Sequence, residues 1–273
     1  MTLNTIFHAL PLLVVYALTF LLVMASLALG MLLGRRFLRT HETIKDSSIG
    51  SAVAATLGLL AFILAFTFNM TANRFNDRKA LLLDEVNAIN SAYLRADFLP
   101  QDVAGLAKEL LAEYAAIRDF HPTISEARAH ALQRGGEIHR ELWALVDEQV
   151  RAGYDAGYLR QFVEPLNVVI NDHNARITVG LEYRIPGAIW LALYFMTALA
   201  MLAIGFQFGV ARGGSRQVGM ALALTFSTAI LLIADLDRPT EGTLLVDQSP
   251  MAELHSRLQE AERARASVKR PGN

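Results

Sequence analysis

The chain has 273 residues, 53% of them hydrophobic, a formal net charge of −1 and no cysteine. The balanced charge supplies no field that argues for nucleic acid. The missing cysteine excludes disulfides, thiolate metal sites and a Cys nucleophile, and leaves the compartment open.

The apolar residues come in blocks, and the hydrocarbon core of a bilayer needs roughly 20 apolar residues of helix. Leu10 to Leu33 is interrupted only by mild residues such as Thr19 and Ser26. Its apolar stretch is too long for a signal peptide and no Lys or Arg precedes it, so a membrane span is expected. The basic stretch Arg35-Arg36-Phe37-Leu38-Arg39 reads as a loop leading to a second uncharged block, Ala52 to Met70. Residues 1–72 are therefore expected to form a transmembrane hairpin.

Residues 73–185 are rich in Ala, Leu, Glu and Arg, with apolar residues recurring at three and four positions, which predicts several helices outside the membrane. Pro100, Pro122 and the Gly135-Gly136 pair punctuate them. Ile124 to Val150 is amphipathic, and Tyr158 to Tyr183 contains Pro165, which predicts a kink or break. Ala188 to Val210 and Val218 to Ala234 are again uncharged and predict a second hairpin over 186–236, with Gly213-Gly214 in its turn. Residues 237–273 form a polar tail in which Glu253 to Lys269 reads as a fraying helix. The fold class is an all-α membrane protein: four transmembrane helices as two hairpins, with an inserted helical extramembrane domain. The hairpins do not resemble each other, so an inverted-repeat transporter is not indicated.

The domain and both termini should share one side of the membrane. Arg35, Arg36, Arg39, Arg212 and Arg216 in the short loops place those loops in the cytoplasm by the positive-inside rule. Arg74, Arg78, Lys79 and Arg184 on the other side nearly balance them.

No span carries Lys, Arg, Asp, Glu or His near its centre, which lowers the case for a proton-coupled transporter. The second span has a column at four-residue spacing: Gly50, Ala54, Gly58, Phe62 and Phe66. Such positions share a helix face. Lining a pore, the small residues would make a vestibule and the two Phe a constriction that gates by dewetting. The plainer reading is close helix packing with Phe toward lipid. Beyond the span, Arg74, Arg78, Leu81, Glu85, Ala88, Ala92 and Arg95 form one stripe. Its cations would concentrate anions beyond a constriction, or would make structural ion pairs in a bundle, with Asp77, Asp84 and Glu85 offsetting the charge. His121, His130 and His139 are nine apart, so neighbours face opposite ways, and Pro122 separates the first; they read as surface residues. No nucleophile–base or metal-ligand spacing appears, so neither an enzyme, a cofactor nor a metal site is expected. Asp235 or Asp237, followed by Arg238-Pro239, reads as a helix stop paired with Arg74 or Arg78.

Phe62-Ile63-Leu64-Ala65-Phe66 followed by Asn69 and Arg74-Phe75 is similar to the second span of bestrophins. With Asn73 to Lys79, Asp84 to Ile89, Tyr93 to Asp97 and Asp235-Leu236-Asp237-Arg238-Pro239, the chain resembles the bacterial bestrophin-like membrane family, and more distantly the bestrophin anion channels. The resemblance implies a pentameric homo-oligomer in the bacterial inner membrane, conducting chloride or other small anions, with the large domain in the cytoplasm. It implies Phe62 and Phe66 as the neck. Gly58 departs from it by standing where a larger apolar residue is usual. A calcium clasp is not implied, because only Asp235 and Asp237, beside Arg238, replace the dense acidic run that follows the fourth span. The alternative is a non-conducting membrane scaffold or signalling partner.

Overall fold

A computed structural model of the protein describes residues 10–40, 46–119, 125–179, 183–211 and 216–268. His121, Pro122, Arg212 and Gly213-Gly214 lie outside the described residues, as does the side chain of Arg216. The regular elements among the described residues are helical: α1 (Leu12–Thr40), α2 (Asp46–Arg95), a 3-10 turn (Ala96–Phe98), α3 (Gln101–Arg118), α4 (Ser125–Arg151), α5 (Ala156–Ile177), α6 (Gly187–Val210), α7 (Arg216–Asp237) and α8 (Ser249–Val268). Among them α1, α2, α6 and α7 are long and apolar enough to cross a bilayer. The chain divides into two compact units, residues 1–74, 184–238 and 242–244 in the first, and 75–183, 239–241 and 245–273 in the second.

In the first unit α1 makes its most extensive contact with α6. Glycines permit it. A Cβ on Gly30 would collide with the backbone of Leu202 and Phe206, one on Gly205 with the carbonyl of Leu27, and Gly34 and Gly209 face each other's helices in the same way. Gly30-x-x-x-Gly34 thus interlocks with Gly205-x-x-x-Gly209, two small-residue pairs that bring helix backbones together where water gives no driving force. Three buried hydroxyls in the apolar helices are satisfied locally: Thr19, Thr67 and Thr197 donate to the carbonyls four residues back. Arg35-Arg36-Phe37-Leu38-Arg39 is not a loop but the end of α1. Nothing in that stretch breaks a helix, and a cation in the last turn favours the helix C-terminus.

The second unit is built on a core shared by α2, α3, α4, α5 and α8, including Leu82, Ile89, Leu111, Leu142, Phe162 and Leu254. Two expected breaks do not end their helices. Gly135 and Gly136 lie inside α4, where a Cβ on Gly135 would press on His173 Cε1 at 3.2 Å and Tyr114 Cε2 at 3.3 Å. The pair serves close approach rather than a turn. Pro165 is buried within α5 without ending it. A proline leaves the carbonyl four residues earlier without its helical donor. Here that carbonyl, of Gln161, accepts from Arg95 Nη1 at 3.4 Å. The tail is held along its helix: Met251, Leu254 and Leu258 of α8 are buried, and Tyr93 donates to Glu262 at 2.6 Å.

Candidate functional site

From Ala54 to Phe66 the column on α2 is uncovered by the described residues. Phe62 and Phe66 are 66% and 54% exposed; Ala54, Gly58 and Asn69 are exposed as well. A Cβ on Gly58 would meet nothing within 4 Å. α2 packs instead through the other side, where Val53, Leu60 and Thr67 are buried. Among the described residues, then, Ala54 and Gly58 do not serve a helix contact, and this face is left for lipid, for other copies or for an aqueous path.

The charged stripe is divided among different surroundings. Arg74 places Nη1 3.9 Å from Asp237 Oδ1. Asp237 also accepts from the backbone of Ile185 at 3.0 Å. Arg78 is buried, its guanidinium 5.9 Å from the centre of the Phe75 ring. Arg95 lies 3.7 Å from Glu164. Asp235 accepts from the backbone of Thr243 at 2.9 Å and from its hydroxyl. Gly242, at φ 114°, lies against the Asp235 carboxylate where a Cβ could not fit. Arg238 donates to the carbonyl of Leu10 at 2.6 Å. Asp235-Leu236-Asp237-Arg238 therefore ties the end of α7 to the starts of α1 and α6 and to the turn that follows. Of the pairings the sequence predicts, the structure shows Arg74 beside Asp237.

Glu85 belongs to a cluster that spacing along α2 did not disclose. Fully buried, it accepts from Tyr114 at 2.6 Å and from Arg118 at 3.1 Å, and it pairs with Arg176. Burial by itself would raise the Glu85 carboxyl, but the Arg118 and Arg176 guanidinium charges and the Tyr114 hydroxyl outweigh it and hold the carboxyl at about 2. Tyr114 is also 2.9 Å from His173 Nδ1. The one proton on the phenol goes to the carboxylate, so neutral His173 carries its own proton on Nδ1 and donates it to the phenol oxygen. His139 stands edge-on to His173, ring centres 4.8 Å apart. Burial, aided by the Arg118 charge, pushes both imidazoles down to about 4.

His139 corrects the sequence reading: it is only 8% exposed, whereas His130 is exposed as expected. The nine-residue spacing said which histidines oppose each other, not which face is covered. The apolar stripe Ala131, Ile138, Leu142 and Val146 does say so, and His139 lies beside it. His173 likewise extends the stripe Leu159, Phe162, Leu166 and Val169.

The chain matches the family of the Bestrophin-like domain over residues 13–251. Among solved structures it is similar to a bacterial bestrophin homologue from Klebsiella pneumoniae, at 12% identity and TM-score 0.63, covering 92% of this chain and 98% of that one. A point variant of that homologue aligns at 14% identity and TM-score 0.65, covering 90% and 98%. A crystal structure described as a membrane protein variant aligns at 12% identity and TM-score 0.64, covering 92% and 98%. At these identities the likeness is one of fold. No curated protein matches the chain. With the matched stretch taking in all four apolar helices and the bundle between them, the chain belongs to the Bestrophin-like domain family.

Proposed function

We propose that copies of this chain assemble into a closed ring in the membrane and form an ion channel along the exposed face of α2, with Phe62 and Phe66 at its narrowest part. The observation that carries this is the column itself: two large apolar side chains, one turn apart and uncovered, follow small residues on the same helix. An apolar ring of this kind blocks ions by drying rather than by charge. Four helices alone leave no water-filled hole, so the path requires several copies around an axis. The family resemblance favours five, in a bacterial inner membrane, with the second unit and both termini in the cytoplasm.

Anions such as chloride are what the resemblance implies. The two arginines nearest the constriction stand elsewhere: at ~100° per residue Arg74 and Arg78 lie ~80° and ~120° around α2 from Phe66. Asp77, Asp84 and, further along, Arg95 lie within ~20°, and Arg95 is 3.7 Å from Glu164. Asp77 and Asp84 are exposed; the exposed Lys79 falls ~140° away. On this observation the path favours cations. Purified protein in liposomes tests both claims. Phe62→Ala with Phe66→Ala should raise conductance, and under a KCl gradient the reversal potential should lie on the potassium side and move toward zero in Asp77→Asn with Asp84→Asn. Reversal toward chloride would restore the anion reading. Folded protein that stays silent as wild type and as the double Ala variant would leave a non-conducting scaffold.

A further inference from the structure

The end of the first unit at which α1 stops carries two features that the ion path does not use. One is a groove of about 310 Å³ between α2 and α6, lined by Ile49, Ala52, Val53 and Thr56 on one side and by Leu202, Ala203 and Phe206 on the other. Its only hydroxyl, on Thr56, donates to the carbonyl of Ala52 at 2.8 Å, so the lining offers hydrocarbon. The other is a set of three exposed arginines, Arg35, Arg36 and Arg39, in the last turns of α1. Both belong to the same end. The Phe37 ring is 5.6 Å from that of Phe206, and a Cβ on Gly209 would sit 3.0 Å from the backbone nitrogen of Arg35. α1 and α6 contain no acidic residue and α2 brings only Asp46, its first residue, to this end, so the three arginines outnumber the carboxylates these helices supply here.

We propose that this end of the protein binds an anionic phospholipid, with an acyl chain in the α2–α6 groove and the phosphodiester headgroup on Arg35 and Arg39. The two features ask for the two halves of such a molecule. Guanidinium groups suit phosphate oxygens in geometry and charge, and basic residues at a membrane edge attract anionic lipid. A zwitterionic lipid would fill the groove without matching the net charge, and soluble phosphate would meet the arginines without filling the groove. A second copy of this chain is a poorer occupant: around a rotational axis a neighbour presents its own arginines at the same depth, like charge against like. On α2 the lining residues Ile49, Ala52, Val53 and Thr56 lie ~100–160° around the helix from Ala54, the column residue at their depth, so the site and the proposed ion path fail or stand separately.

The test is lipid titration of the purified full chain in mild detergent, followed by native mass spectrometry and by thermal midpoint. Phosphatidylglycerol should bind and raise the midpoint, phosphatidylcholine should do so weakly, and glycerophosphate should do neither. Arg35→Gln with Arg39→Gln should weaken phosphatidylglycerol by roughly 25-fold, about fivefold for each arginine. Arg35→Lys with Arg39→Lys should retain most of the binding, which separates lost charge from lost folding. Ala203→Leu, which fills the groove, should weaken the lipid while leaving the oligomeric state unchanged. Equal binding of the two lipids, or an effect of glycerophosphate matching that of the lipid, would overturn the proposal. So would an Ala203→Leu variant that changes subunit number and leaves lipid binding intact, because the groove would then be a contact between copies.

Discussion

Replacing Glu85 with Gln removes one charge from the middle of the second unit and almost no volume. The carboxyl stands at about 2 against an ordinary 4.5. At ~1.4 kcal/mol per pH unit, that difference corresponds to roughly 3 kcal/mol of preference for the ionised form in the folded protein. The variant also leaves Arg118 and Arg176 facing each other without a counterion, and Arg118 is buried. Breaking a buried ion pair from one side costs about 3–5 kcal/mol. For a chain of this size the thermal midpoint in detergent should fall by on the order of 10 °C. Because Arg176 is the more exposed of the two cations, Glu85→Gln with Arg176→Met should recover part of the loss. A double-mutant cycle then measures the coupling. A Glu85→Gln protein that unfolds within a few degrees of wild type, with no coupling to Arg176, would refute this account of the cluster.

The buried histidines set a pH dependence with a definite sign. Unfolded imidazoles titrate near 6.5, while His139 and His173 are held to about 4, so the unfolded chain binds protons first as the pH drops. Stability should therefore fall from pH 6.5 toward 4, by at most ~1.4 kcal/mol per pH unit for each histidine. His139→Gln with His173→Gln should flatten that slope in thermal midpoints taken from pH 7.5 to 4.5. In the first unit, Gly205→Ala should destabilise by about 1–3 kcal/mol through collision with the Leu27 carbonyl. Gly58→Ala, which meets nothing, should leave the thermal midpoint unchanged or raised. Asp237→Asn weakens the hold on Arg74 and on the Ile185 backbone and should lower stability by about 1–3 kcal/mol, read as a lower thermal midpoint. Chelation at fixed ionic strength should leave the wild-type midpoint unchanged.

Four uncharged blocks are legible because a span is a local property: roughly 20 apolar residues in succession satisfy it whatever lies beside them. The interlock of Gly30 and Gly34 with Gly205 and Gly209 is not local. Each glycine pair stands in a long apolar stretch, and what makes it a contact is the backbone of a helix well over a hundred residues away. The same holds for Pro165, whose effect on α5 depends on Arg95 reaching the carbonyl it leaves without a helical donor. Periodicity does better when it is read as a stripe. Ala131, Ile138, Leu142 and Val146 predict a covered face, and His139 follows from it, whereas the spacing of histidines alone led to the wrong side.

Charge is where local reading reaches its limit. Arg74, Arg78, Glu85 and Arg95 do form one stripe along α2, yet a charge acts on a passing ion only to the extent that nothing nearer has neutralised or covered it. Asp237 stands close to Arg74, Arg78 is buried, and two arginines from α3 and α5 hold Glu85. On the Phe66 side α2 leaves Asp77 and Asp84 exposed, with Arg95 further along beside Glu164. The sign of the preferred ion therefore turns on which members of a mixed stripe find partners in the fold. A count of charges along the helix carries no information on that.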